Sequence, residues 1–230
     1  MKPILFSKPM IQAILDGRKS QTRRVVKIPD GYDCTADINP CLVQDNIIPF
    51  IGEPNNIKYA YPRYQVGDIL YVRETWAITP DSLCLYRGNY RDGTFKDIPS
   101  ETLIYRADFI NDEPTTPNIK WKPNIHMKKE ASRIFLKVTD VRVERLQNIS
   151  DYDAIKEGLG AHLRPREAFV DLWDSINAKR NTGIYAWKHN PWVWVYSFEH
   201  YEKSCADGYI VPVKAVTTWQ KKKCNSLSML

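Results

Sequence analysis

A chain of 230 residues suits one large domain, or one domain with insertions, and is cramped for two full domains. Its 43% hydrophobic content supplies a core and excludes a chain disordered by composition, while a net charge of +6 favours an anionic partner. No stretch approaches the roughly 20 apolar residues that cross a bilayer, and Met1–Phe6 is too short and too soon polar for a signal peptide, so a cytoplasmic protein without a membrane partner is expected.

In chain order, Ile4-Leu5-Phe6 predicts a short strand. Ser7 stands where an N-cap belongs, Pro9 falls in the first turn, and Met10, Ile11, Ile14 and Leu15 recur at helical spacing. Gly17 is a natural C′ stop, so this helix delivers the chain directly into a basic stretch. Thr22–Val26 reads as a strand. Residues 28–60 carry Pro29, Gly31, Pro40, Pro49, Gly52 and Pro54 and read as a long irregular insertion. Val66-Gly67-Asp68 is a turn signal feeding a strand over 69–72 that runs on towards Trp76. A second insertion covers 77–120, with weaker strands at Leu83–Tyr86 and Leu103–Tyr105.

The clearest strand is Arg133–Arg145. Ile134, Leu136 and Val138 alternate on one face and Val141 and Val143 in the other phase, which predicts a bulge or sharp bend at Thr139-Asp140. Ser150 with Asp153 makes a capping-box-like start for a helix over Asp151–Glu157, closed by Gly158. A further helix follows Pro165, with Phe169, Leu172, Trp173 and Ile176 as its apolar stripe. Residues 191–198 form the last strand, with Trp192 and Trp194 on one face, as core. The pattern weakens in the extension 201–230, whose last ten or so residues are expected to be poorly ordered. The set predicts an α+β fold, a small mixed barrel with short helices packed at its ends, as one domain over 1–200.

Cys34, Cys41, Cys84, Cys205 and Cys224 are odd in number and lack C-x-x-C spacing, and the four histidines are scattered. Neither a disulfide framework nor a metal site is suggested, and no cofactor is expected.

Chemistry concentrates instead after the first helix. Arg18, Lys19, Arg23, Arg24 and Lys27 stand together with no acidic residue among them, which makes a local positive field. The same cations also suit the end of a helix, where they cap free carbonyls and complement the dipole. Ser20 and Thr22 add hydroxyls able to donate to phosphate or act as nucleophiles.

Gly17-Arg-Lys-Ser-Gln-Thr-Arg-Arg24 after an apolar helix resembles the G-x-K-[TS]-x-T-x-R signature of the ASCH family, within the PUA-like superfamily. Residues 66–76, 131–134, 145–158 and 190–195 resemble its longer, phage- and prophage-encoded branch. The resemblance implies a PUA-like β-barrel with a cleft between barrel and helices, and an association with RNA. It also implies kinship with small amidohydrolases that remove the acetyl group from N4-acetylcytidine. Their catalytic Lys and Thr fall on Lys19 and Thr22, and their Glu, in the helix after the long strand, on Glu157. The partner implied is RNA or a modified nucleoside.

The chemistry of such a set follows from general principles. A threonine hydroxyl needs a base to become a nucleophile. A lysine serves as that base once burial and neighbouring cations lower its pKa. Glu157 then passes a proton to the leaving amine; alternatively, Glu157 activates a water while Lys19 and Thr22 stabilise the oxyanion. Arg18, Ser20, Arg23, Arg24, Arg73, Glu74 and Trp76 are candidate ligand contacts. Glu74 also suits an ion pair with the basic segment, and Trp76 and Trp187 suit stacking on a base. Tyr59, Tyr61 and Tyr64 beside Lys58 and Arg63 fit either single-stranded RNA or a turn packed onto the barrel. A non-catalytic RNA- or DNA-binding module and an RNA-cleaving enzyme remain alternatives on the same cleft. The two insertions and the extension beyond residue 200 distinguish the chain from the small amidohydrolases and bear on what the cleft admits.

Overall fold

The first helix begins after Ser7, whose side chain makes no capping hydrogen bond, carries Pro9 in its first turn and ends before Gly17, which takes the left-handed φ of +72°. The computed structural model of the protein describes residues 1–27, 48–52, 56–79, 86–89, 95–98, 101–109, 119–160, 162–203 and 210–212. The strands and helices in chain order are β1 (Lys2–Leu5), α1 (Lys8–Leu15), β2 (Gln21–Val25), β3 (Ile48–Gly52), β4 (Asn56–Ala60), β5 (Ile69–Arg73), β6 (Trp76–Ile78), β7 (Tyr86–Asn89), β8 (Phe95–Ile98) and β9 (Leu103–Tyr105). There follow β10 (Ile134–Arg145), α2 (Asp151–Lys156), α3 (Pro165–Asn177), β11 (Trp192–Lys203) and β12 (Ile210–Pro212). The content is α+β, sheet-dominated with few helices. No described helix is long and apolar enough to cross a membrane.

Among the described residues the largest sheet has six strands in the order β1-β5-β10-β11-β12, with β2 paired to β11, and its pairings do not close into a ring. The chain divides into two compact units. The first comprises Met1–Gly17, Ile69–Lys137 and His200–Leu230, and the second Arg18–Asp68 and Val138–Glu199.

In the first unit β1 runs parallel to β5 and the start of β10 antiparallel to it. The apolar face of α1 buries Ile11, Ala13 and Ile14, and Gln12 Nε2 donates to the Ala107 carbonyl at 3.1 Å. β6 pairs with β9 and β7 with β8, so the described residues of the predicted insertion 77–120 include two ribbons, and Ala77, Ile98, Ile104 and Phe109 form a buried cluster there. The predicted strand Leu83–Tyr86 lies outside the described residues except for Tyr86, which opens β7.

In the second unit β2 pairs antiparallel with the first half of β11, Thr22 facing Tyr196 and Arg24 facing Trp194. The segment expected to be irregular over 28–60 contains a hairpin instead, β3 against β4. The prolines misled that reading: Pro49 sits within a two-stranded ribbon, an edge position where a missing N–H is tolerated. On β10 the burial runs in two phases, with Thr139 and Asp140 both exposed between buried Val138 and Val141. Ser150 caps α2 as expected, its hydroxyl accepting from Asp153 N at 3.1 Å. Leu146, Ile149, Ala154, Phe169, Trp173, Val193 and Val195 form one core between α2, α3 and β11. Each large side chain so buried contributes about 1.5–3 kcal/mol. Ile176, expected in the α3 stripe, is 44% exposed because the helix meets this core only along Phe169 and Trp173. All five cysteines and the last ten residues lie outside the described residues.

Candidate active site

The second unit pins the residues between Gly17 and β2 from both sides. Ser20 N donates to the Lys156 carbonyl at 2.9 Å, and Ser20 O accepts from Phe198 N at 2.9 Å. Lys19 forms a bridge with Glu157, the residue that ends α2. Because α2 is capped at Ser150 and packed through Ala154, its last turn has a fixed position over the start of β2.

Lys19 and Glu157 are both buried, at 3% and 5% exposure. The lysine Nζ lies 2.6 Å from Glu157 Oε2 and donates also to the Glu157 carbonyl at 2.8 Å. A cation at a helix C-terminus is favoured by the dipole. Burial nevertheless pushes the Lys19 pKa down, against the pull of Glu157 and with help from Arg24 and Arg23. A lysine so placed can lose its proton within reach of a carboxylate that can relay it.

Arg23 completes the cluster. Nη1 donates to Glu157 Oε1 at 3.3 Å and to Gln21 Oε1 at 3.0 Å, and Nη2 donates to Glu144 Oε1 at 2.6 Å. Asp153 Oδ2 lies 3.5 Å from Nη2. Its carboxyl is held low: burial alone would raise it, but the Ser150 hydroxyl, Arg23 and Arg142 outweigh that. Arg18 Nη1 donates at 3.0 Å to the carbonyl of Gly158, the positive-φ glycine that follows α2.

Alternation along β2 puts Gln21 and Arg23 on one face and Thr22 and Arg24 on the other. Thr22 is buried opposite Tyr196, and among the described residues its hydroxyl bonds to neither Lys19 nor Glu157. Arg24 is half-buried; burial lowers its pKa against the attraction of Glu157, Tyr64 and Tyr196. The Tyr64 and Tyr196 rings meet edge-on at 5.1 Å. Tyr196 accepts from Arg63 N at 3.1 Å, and burial pushes its hydroxyl up to about 12.

Arg73, Glu74 and Trp76 belong to the first unit. The cation that holds Glu74 is Arg133, from outside the basic segment: Nε and Nη2 reach its two oxygens at 2.9 and 3.0 Å. Arg133 Nη1 also binds Asp108 at 2.8 Å, and the guanidinium carbon lies 4.0 Å from the centre of the Tyr105 ring. Arg73 reaches the Ile125 carbonyl and the Tyr71 hydroxyl, while Lys122 lies over the Trp76 ring at 4.7 Å. Trp187 lies under Arg166 at 5.3 Å and against Phe169, and Trp192, half-buried rather than core, lies under Arg145 at 4.5 Å. Sequence reasoning missed Gln21, Glu144 and Asp153 as partners of Arg23; the period-two spacing of Gln21 to Arg23 was the available signal. Among the described residues no three His, Cys, Asp or Glu side chains gather to hold a metal. No family model matches the chain, and no curated protein or solved structure matches it significantly, so the geometry of Lys19, Arg23 and Glu157 stands alone.

Proposed function

We propose that the protein is an amidohydrolase that removes an acyl group from a modified cytidine, N4-acetylcytidine being the leading substrate, on an ASCH-type scaffold of the PUA-like kind. The observation that carries the reading is the buried Lys19 amine 2.6 Å from Glu157 Oε2. The resemblance of Gly17–Arg24 to the ASCH signature supplies the substrate class.

Neutral Lys19 takes the proton of the nucleophile. With Thr22 as nucleophile, its oxygen adds to the acyl carbon and the bond to N4 breaks. The proton, handed from Lys19 to Glu157, goes to the departing amine, and water then releases the acid from the threonine ester. With water as nucleophile the acid leaves without that ester. General acid–base transfer of this kind is worth about 10²–10⁴-fold. The two routes separate at Thr22→Ala, which stops the first outright and slows the second only by the loss of the oxyanion contact that Thr22 would make.

Chromatography of N4-acetylcytidine incubated with the protein tests the reading. Cytidine and acetate should appear in equal amounts, and Lys19→Met and Glu157→Gln should each stop their release. A wild-type protein without turnover, or both variants at the wild-type rate, overturns it. A second reading, single-stranded RNA binding without chemistry, is favoured by Tyr59 and Tyr61, which are 54% and 64% exposed beside exposed Lys58 and Arg63. It requires affinity that falls steeply with salt and no turnover.

A further inference from the structure

We propose that Arg23 is the positioning residue of the Lys19–Glu157 pair: it binds no substrate, and holds Glu157 Oε1 so that Oε2 faces the lysine amine. The Arg23 side chain has no solvent exposure, and all three of its nitrogens are engaged. Nε and Nη2 both grip Glu144 Oε1, at 3.1 and 2.6 Å, which fixes the plane of the guanidinium. Nη1 is left pointing at Gln21 and Glu157. The ring of Phe169 lies 5.8 Å from the guanidinium carbon.

The grip is itself supported. Arg142 binds the second oxygen of Glu144 at 3.2 Å and Asp153 Oδ1 at 3.3 Å, so the carboxylates around Arg23 are held in turn. Glu157 is thus tied through one arginine to β2, β10 and α2, and its two oxygens are divided, one to Arg23 and one to Lys19. Without Arg23 the carboxylate could turn both oxygens to Lys19 and give it the full benefit of the negative charge. Among the described residues, the charged and titratable groups that act on Lys19 include Glu157, Arg23 and Arg24, with Glu144, Asp153 and Arg142 behind Arg23, and Tyr64, Tyr196 and Arg180 around Arg24. Removing Arg23 takes away a cation and frees an anion, and both changes make Lys19 harder to deprotonate.

The proposal rests on the amidohydrolase reading for its catalytic consequence alone, and the test keeps the two apart. The Lys19 amine is titrated by NMR in lysine-labelled full-length protein, in Glu144→Gln and in Arg23→Met/Glu144→Gln, the second change removing the carboxylate that the arginine leaves behind. The Lys19 midpoint should be higher in the double variant than in Glu144→Gln, with kcat on N4-acetylcytidine down about 10²-fold and KM unchanged. Arg23→Lys, which keeps the charge and loses the fork, should keep the midpoint and still lose kcat. If the double variant does not fold, Arg23→Gln carries the same expectation of a raised midpoint. A midpoint no higher in the double variant than in Glu144→Gln overturns the proposal, as does a KM that rises while kcat holds. A wild-type protein without turnover removes the amidohydrolase reading and leaves the midpoint to decide the role of Arg23.

Discussion

Each unit buries a glutamate against cations, and the two arrangements have opposite chemical consequences. Glu74 is 1% exposed and meets an arginine fork on both oxygens, with Asp108 and the Tyr105 ring on the far side of Arg133. Arg133 is driven above its ordinary range: burial works against it, but Glu74 and then Asp108 outweigh burial. Burial raises the Glu74 carboxyl against the pull of Arg133, but the guanidinium keeps its proton, so the pair is a strut without a labile cation. Glu157 shares its oxygens between an arginine and a lysine, and the lysine is the partner whose proton burial makes labile. The two pairs differ both in cation chemistry and in burial, since the Arg133 side chain keeps 29% exposure and the Lys19 side chain none.

Breaking the strut should have the largest effect on stability. Arg133→Met leaves Glu74 buried without its counter-ion and should cost about 3–5 kcal/mol in urea unfolding. A loss well under that range would show that Glu74 takes up a proton instead, and the contrast between the two clusters would weaken.

Exchanging the cation should sharpen the contrast in chemistry. Lys19→Arg keeps the charge but has no proton to lose, and hydrolysis should fall by about 10²-fold or more. In the wild type the rate should rise with pH through a midpoint below 10.5, because the protonated amine accepts nothing. Stability moves the same way: between the folded and unfolded lysine pKa values the unfolded chain binds more protons, so Lys19 makes stability rise with pH there. Lys19→Met should flatten that slope, measured as urea midpoints across pH. A slope unchanged by the substitution would mean that Lys19 titrates alike in both states.

The smallest effect tests the support beneath Glu157. Ser150→Ala removes the cap of α2 and should cost about 1 kcal/mol by the same urea titration. A cost near zero would mean that the packing of Ala154, rather than the cap, holds the helix that ends in Glu157.

Much of the local structure was readable from the chain. Ser7, Pro9 and Gly17 bound α1, Ser150 caps α2, and the two burial phases of β10 fall on either side of Thr139-Asp140. The β3–β4 hairpin was not readable, because its prolines argue for a loop until a two-stranded partner makes one unsatisfied edge harmless. Of the site, the basic segment stood out by its charge and Glu157 only through the resemblance, which grouped it with Lys19 and Thr22; Gln21, Glu144 and Asp153 around Arg23 did not stand out.

Caps, turns and periodicities depend on neighbours a few residues away, and the sequence alone determined them, down to a glutamate at the end of α2. Which cation meets which carboxylate depends on backbone segments brought together by the core. Lys19 reaches Glu157 across 138 residues, a grouping the resemblance implied, and Arg133 reaches Glu74 across 59, where a partner in the basic segment had been expected; the direct contact of the first pair and the partner in the second only the tertiary structure decided. With the partners came the burial that loosens the lysine proton and the carboxylates that hold the arginine's, since desolvation and charge act through space and not along the chain.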